Sequence, residues 1–269
     1  MKETFLEQIL RKTRTRVESA KRSLDVPKVR SQAERIRSRA SHHRFCTALA
    51  RTDRTNIIAE IKRASPSKGV INSGIDVRSM ARSYESGGAA AISVLTEGEF
   101  FGGSLDDLTM VAETVDLPVL RKDFIIDEFQ IYEAAAAGAA AVLLIVAALS
   151  TRELGQLLKV AETDLGMDAL VEVHTADELQ VARDAGSRII GVNNRDLRSL
   201  EVSLDVSRCL IANRPEEAIM VAESGITGRD DIEELSRLGF DAFLIGETLM
   251  RSENVAMQLQ GLTAKREAV

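Results

Sequence analysis

The sequence predicts an α/β fold, a (β/α)8 TIM barrel with an N-terminal helical extension, and three observations carry that reading. From Asn56 onward, short β-branched or apolar runs end in glycine or polar residues and give way to amphipathic stretches of helix length, the alternation that βα units produce. The runs end near Glu60, Leu95, Lys122, Val146, Glu172, Asn193, Glu223 and Gly246, eight ends that recur roughly every 21 to 35 residues. Each run is apolar almost throughout, as parallel strands covered on both faces are. An open doubly wound sheet, the rival topology, would place a glycine-rich dinucleotide fingerprint after the first strand. Arg63-Ala64-Ser65-Pro66-Ser67-Lys68-Gly69 stands there instead.

Taken in order, Met1 to about Arg51 is polar, rich in Arg and Ser, and carries helical spacing at Phe5, Ile9 and Leu10, which makes it an extension ahead of the barrel. The eight strand cores follow: Ile57–Ala59, Ala91–Val94, Pro118–Leu120, Val142–Ile145, Ala169–Val171, Ile189–Val192, Ile219–Val221 and Ala242–Ile245. With 269 residues, 45% of them hydrophobic, the chain is long enough to bury one large core, and residues 1–269 are expected to form a single domain.

A formal charge of -6 and a pI near 5.3 argue against gripping nucleic acid or an anionic membrane, so the expected partner is a small molecule. Met1 to Ala20 alternates charges and reads as neither signal nor anchor. The apolar stretch Ala134–Leu149 is broken by Gly138 and is too short for a membrane span. Cys46 and Cys209 stand far apart, with no CxxC and no Cys/His cluster at metal-ligand spacing, so no metal site and a cytoplasmic setting are expected.

In a barrel, chemistry sits at the C-terminal strand ends. Side chains alternate along a strand, so Ile58, Glu60 and Lys62 share a face; if Ile58 fills the barrel, both charges point into its mouth. The same parity pairs Leu120 with Lys122, Leu170 with Glu172, Gly191 with Asn193 and Val221 with Glu223. A single charge after a strand is ordinarily the exposed start of a loop. Five strands delivering two lysines, three carboxylates and an amide to one rim form a mixture that separates the pKa values of an acid and a base. The loops after strands seven and eight, Ser224-Gly225 and Gly246-Glu247, fall where barrels bind phosphate on backbone N–H groups; the glycines could serve tight turns alone, but their falling together after those two strands favours phosphate.

These residues resemble a known family. Ile57-Ile58-Ala59-Glu60-Ile61-Lys62-Arg63-Ala64-Ser65-Pro66-Ser67-Lys68-Gly69 is similar to the first-strand signature of indole-3-glycerol-phosphate synthases. The likeness continues in Pro118–Phe124, Leu170–His174, Gly191–Leu197 and Ala222–Ile226, in the right order and over nearly the whole chain. The resemblance implies a cofactor-free ring closure in tryptophan biosynthesis: 1-(2-carboxyphenylamino)-1-deoxyribulose 5-phosphate becomes indole-3-glycerol phosphate with loss of carbon dioxide and water. It implies Lys122 as the general acid on the ketone oxygen, Glu172 as the acid–base residue of dehydration, Lys62 as partner of the substrate carboxylate, and Glu60 as the group holding the lysines. Asn193, Arg195 and Glu223 would orient the ribulose hydroxyls and the acid–base pair, and Ser65 would lie near the anthranilate carboxylate. Ser224, Gly225, Gly246 and Glu247 would hold phosphate; Glu247 departs from the small hydroxyl residue many relatives carry, and its side chain is expected to point away. Phe101 and Phe124 are read either as apolar walls for the anthranilate ring or as ordinary packing. A monomer is expected, with association with other tryptophan-pathway enzymes as the protein-partner expectation.

His174 reads as a loop histidine, His42 and His43 as surface residues, and Lys68 as either part of a lid or a solvated loop charge. Three other readings compete. Lys122 as a Schiff-base nucleophile would make an aldolase-like enzyme. A phosphoribosylanthranilate isomerase would want a Cys–Asp pair, yet neither Cys46 nor Cys209 ends a strand. A non-catalytic phosphosugar-binding barrel would keep the glycine loops and lose the acid and base.

Overall fold

The structure, a computed structural model, describes residues 3–66, 69–72 and 74–264. The loop lysine Lys68 lies outside the described residues. Three helices precede the barrel, α1 (Phe5–Ser23), α2 (Val26–Arg37) and α3 (Arg44–Leu49). The first starts at a reciprocal cap between Thr4 and Glu7, the second at Asp25, whose side chain accepts from Lys28 N.

The barrel strands are β1 (Asn56–Ile61), β2 (Ala91–Leu95), β3 (Val119–Lys122), β4 (Ala141–Ile145), β5 (Asp168–Val173), β6 (Ile189–Asn193), β7 (Ile219–Glu223) and β8 (Ala242–Ile245). Each pairs in parallel with its sequence neighbours, and β1 pairs with β8 to close the ring. Val146, expected at the fourth strand end, instead opens a short 3-10 turn. The remaining helices are α4 (Val77–Ser86), α5 (Leu105–Thr114), α6 (Glu128–Ala136), α7 (Thr151–Leu158), α8 (Ala176–Asp184), α9 (Asp205–Leu210), α10 (Arg229–Leu238), α11 (Glu247–Met250) and α12 (Val255–Thr263). Among the described residues no helix is long and apolar enough to cross a membrane.

Strand parity divides the core in two. Ile57, Ala59, Val119, Val142, Val171, Ile190, Met220 and Phe243 belong to the layer shared with the outer helices. The alternate residues Ile58, Leu120, Leu143, Leu170, Ile189, Val221 and Leu244 fill the barrel interior. A period of two, applied to strands covered on both sides, produces this division, and it aims the polar residues that follow each interior residue at the mouth.

The first and third helices close the two ends. α3 inserts Phe45 and Leu49 into the interior cluster at the strand starts, where Asn56 Nδ2 donates to Leu49 O at 2.8 Å. There the structure corrects the reading of His43 as a surface residue: its ring is half-buried, with Nδ1 3.1 Å from the buried Asp168 carboxylate, whereas His42 is exposed. The buried aspartate recruits His43, Arg188 and the Cys46 N–H because an unpaired charge there would be costly. α1 lies at the opposite end, tied to the loops after β2 and β3 by Lys12–Glu99, Arg16–Asp123 at 2.8 Å and Lys21–Asp127 at 2.9 Å.

Candidate active site

One cavity opens at the C-terminal strand ends, about 1040 Å³ of space counting its open mouth. Glu60, Lys62, Ser65, Phe101, Lys122, Phe124, Glu172, Asn193, Arg195, Glu223, Ser224, Gly225, Gly246 and Glu247 all line it.

Its floor is a charge cluster. Lys122 Nζ donates to Glu172 Oε2 at 3.0 Å and lies 3.1 Å from Glu223 Oε2, so one ammonium bridges carboxylates from β5 and β7. Burial alone would lower the Lys122 pKa, but the charges of Glu172, Glu223 and Glu60 prevail and raise it above the ordinary lysine value. Burial would likewise raise Glu172, yet Lys122, His174 and a hydrogen bond from Asn193 hold it below the usual carboxylate range. Glu223 goes the other way: burial and the charge of Glu172 outweigh Lys122 and push it up to about 7. Two carboxylates beside one cation have therefore parted, one ionised and one that takes a proton near neutrality. A second pair stands at the end of β1, where Lys62 Nζ donates to Glu60 Oε1 at 2.8 Å, and the buried Tyr84 hydroxyl donates to Glu60 O at 2.8 Å.

Two glycines make this crowding possible. A methyl group on Gly191 would sit 2.0 Å from Glu223 Oε1, and one on Gly246 would sit 2.6 Å from Glu60 Oε1. Neither position tolerates a side chain while the carboxylates stand as they do. Sequence reading placed Gly191 on the inward face without seeing that its missing side chain is the space Glu223 occupies.

The walls are set by loops. The Glu97 carboxylate accepts from the N–H groups of Glu99, Phe100 and Phe101, which fixes the loop carrying Phe101. Phe101 and Phe124 meet with ring centroids 6.4 Å apart, tilted by 37°, and form the apolar side. Phe5 of α1, legible in the sequence only as part of a helical pattern, also lines the cavity and packs edge-on against Phe100 at 5.3 Å. Arg195 N donates to Asn193 Oδ1 at 3.0 Å, and its guanidinium donates to Leu200 O at 3.0 Å, so this loop is braced from within.

At the opposite side, Ser224 and Gly225 both adopt left-handed backbone, with φ 65 and φ 80, turning the chain sharply after β7. Asn194 Nδ2 donates to both Glu223 O and Ser224 O at 3.1 Å, and Thr248 Oγ1 donates to Ile226 O at 3.0 Å, locking this loop to the one after β8. The Glu247 carboxylate pairs with Arg251 at 2.8 Å. Among the described residues no group of three or more His, Cys, Asp or Glu is placed to hold a metal ion.

His174 sits in the loop after β5, as the sequence suggests, and its ring lies against the site. It follows β5 directly, but Glu178 Oε2 accepts from its backbone N at 2.7 Å and lies 3.3 Å from Nδ1, which turns Nε2 to within 3.4 Å of Glu172 Oε1. The sequence signal was the carboxylate four residues on, at the start of α8.

The family model for indole-3-glycerol phosphate synthase matches residues 6–262. The chain belongs to that family. A synthase of that name from Chloroherpeton thalassium is 47% identical over 256 residues, covering 94% of this chain and 97% of the relative. One from Carboxydothermus hydrogenoformans is 44% identical over 264 residues, 97% of this chain and all of that one. Among solved structures, 3-hexulose-6-phosphate synthase from Salmonella typhimurium superposes with a TM-score of 0.62 at 14% identity, over 77% of this chain and 96% of that one. At that identity the likeness is one of fold. As an indole-3-glycerol phosphate synthase the protein is a carboxy-lyase of tryptophan biosynthesis.

Proposed function

We propose that this indole-3-glycerol phosphate synthase closes the indole ring with Lys122 as the general acid, and that the lysine's place between Glu172 and Glu223 carries the assignment. An aromatic carbon attacks the ketone of the carboxyphenylamino-deoxyribulose phosphate, and charge develops on the ketone oxygen. A buried ammonium at that oxygen both donates a proton and stabilises the charge before it does so. The bond from the ring carbon to the carboxylate then breaks, carbon dioxide leaves, and the electron pair of that bond stays with the ring and restores its aromaticity. The former ketone oxygen departs as water, so two protons go onto oxygen and one comes off the neighbouring methylene carbon. Glu172, held ionised beside Lys122, takes the methylene proton, while Lys62 and Lys122 supply the others as one coupled set.

Binding follows from the cavity's asymmetry. Phe101 and Phe124 flank the anthranilate ring, and Lys62 with Ser65 meets its carboxylate. Asn193, Arg195 and Glu223 orient the hydroxyl-bearing chain, and the backbone of Ser224, Gly225, Gly246 and Glu247 takes the phosphate. Because Glu247 pairs with Arg251, its charge is offset beside an anion seated on the loop. The protein works as a cytoplasmic monomer, 1–269 forming one domain, with other tryptophan-pathway enzymes as its associates.

Incubating the purified protein with the substrate, without added metal or cofactor, is expected to produce indole fluorescence. Lys122→Ala should lower turnover at least about a hundredfold with native circular dichroism. Nearly full turnover in that variant would remove Lys122 from the role of proton donor, and borohydride trapping of an adduct on Lys122 would favour a Schiff base instead.

A further inference from the structure

We propose that His174, held by Glu178, is a positioning residue that controls the proton affinity of Glu172 from the side facing away from Lys122, an inference that rests on Glu172 being the acid–base group. Three observations carry it. First, the two oxygens of Glu172 are divided: Oε2 accepts from Lys122 at 3.0 Å, and Oε1 faces His174 Nε2 at 3.4 Å. Second, His174 Nε2 is buried and makes no hydrogen bond, so a ring nitrogen lies beside the carboxylate with no hydrogen-bond partner. Third, the ring's other end is fixed, since Glu178 Oε2 receives both the backbone N and Nδ1.

With Nδ1–H directed at Glu178, the neutral ring offers Glu172 only the lone pair of Nε2. The protonated ring offers an N–H and a positive charge. Protonation of His174 therefore holds Glu172 ionised, and deprotonation lets its affinity for a proton rise. Carboxylates from four elements act on the ring: Glu172 on β5, Glu178 on α8, Glu223 on β7 and Asp196 beyond β6. Burial opposes the charged imidazole, but these carboxylates together raise the His174 pKa above its ordinary value. The side chain is 13% exposed against 2% for Glu172, so His174 is the member of the pair nearer to water and exchanges its proton more readily.

The test is a pH–rate profile of the full-length enzyme with H174Q, E178Q and the double variant. Removing the imidazole takes a positive charge from beside Glu172, so the acid limb of turnover should move to higher pH by about one unit, with KM changed less than about twofold. E178Q keeps an acceptor for the His174 backbone and should shift the limb the same way but less. The double variant should match H174Q alone, because Glu178 acts only through the ring. Imidazole NMR should place the wild-type His174 titration above that of free histidine and lower it in E178Q; should H174Q misfold, E178Q and this titration carry the test. An unmoved acid limb in H174Q, or additive shifts in the double variant, would overturn the proposal while leaving Glu172 in its role. Full turnover in E172Q would overturn that role, and this proposal with it.

Discussion

At the scale of single residues, the site works by giving neighbouring carboxylates opposite tasks. Glu172 is kept ionised by Lys122, whereas Glu223, buried beside the same ammonium, is pushed up to about 7 from an ordinary 4.5. The folded chain thus binds the Glu223 proton more tightly than the unfolded chain does. Its contribution to stability is fully present below about 4.5 and is lost as pH rises through about 7. Glutamine at 223 cannot titrate, so the difference in melting temperature between Glu223→Gln and the parent should move in the variant's favour over that window and level off above it. A difference that stays constant with pH would mean that Glu223 is already ionised in the folded protein. The position also shows where sequence reading stops: Glu223 was legible from strand parity, but the room for it comes from Gly191 on the next strand.

At the scale of elements, α1 is a strap over the barrel mouth rather than a solvated appendage. Arg16 reaches the fully buried carboxylate of Asp123, which also accepts from Arg121 at 3.0 Å and Thr96 at 2.8 Å. Those bonds hold the chain on either side of Lys122 and Phe124. Arg16→Ala leaves Asp123 with Arg121, and Arg16 is itself 40% exposed and screened, so the loss should be about 1 kcal/mol rather than that of an abandoned buried charge. Lys21→Ala, at a pair exposed on both sides, should cost less than about 0.5 kcal/mol. Urea midpoints for the two variants check the contrast, and equal losses would show that the strap's hold does not run through Asp123. Helical spacing announced α1, but nothing in that spacing told which end of the barrel it covers, because the ion pairs that decide it join residues far apart in sequence.

At the scale of the whole molecule, the interior of the barrel and the site above it are one packed column. Leu170 is fully buried two residues before Glu172 and fills the interior directly below it. Leu170→Ala should destabilise the protein by about 2–5 kcal/mol, while Leu238→Ala, at a side chain 43% exposed, should stay within about 0.5 kcal/mol. Equal unfolding midpoints for the two would mean that the interior repacks around the void. The sequence by itself determined the eight strands, the face each residue takes and the rim on which Glu60, Lys122, Glu172, Asn193 and Glu223 gather. Those properties follow from local periodicity, which the backbone enforces residue by residue. Only the tertiary structure decided that Lys122 lies between Glu172 and Glu223, that Gly191 and Gly246 yield space to carboxylates on adjoining strands and that Phe5 comes to line the cavity. Each of these is a contact between segments brought together by barrel closure, and a period along one strand carries no information about what stands across the barrel from it.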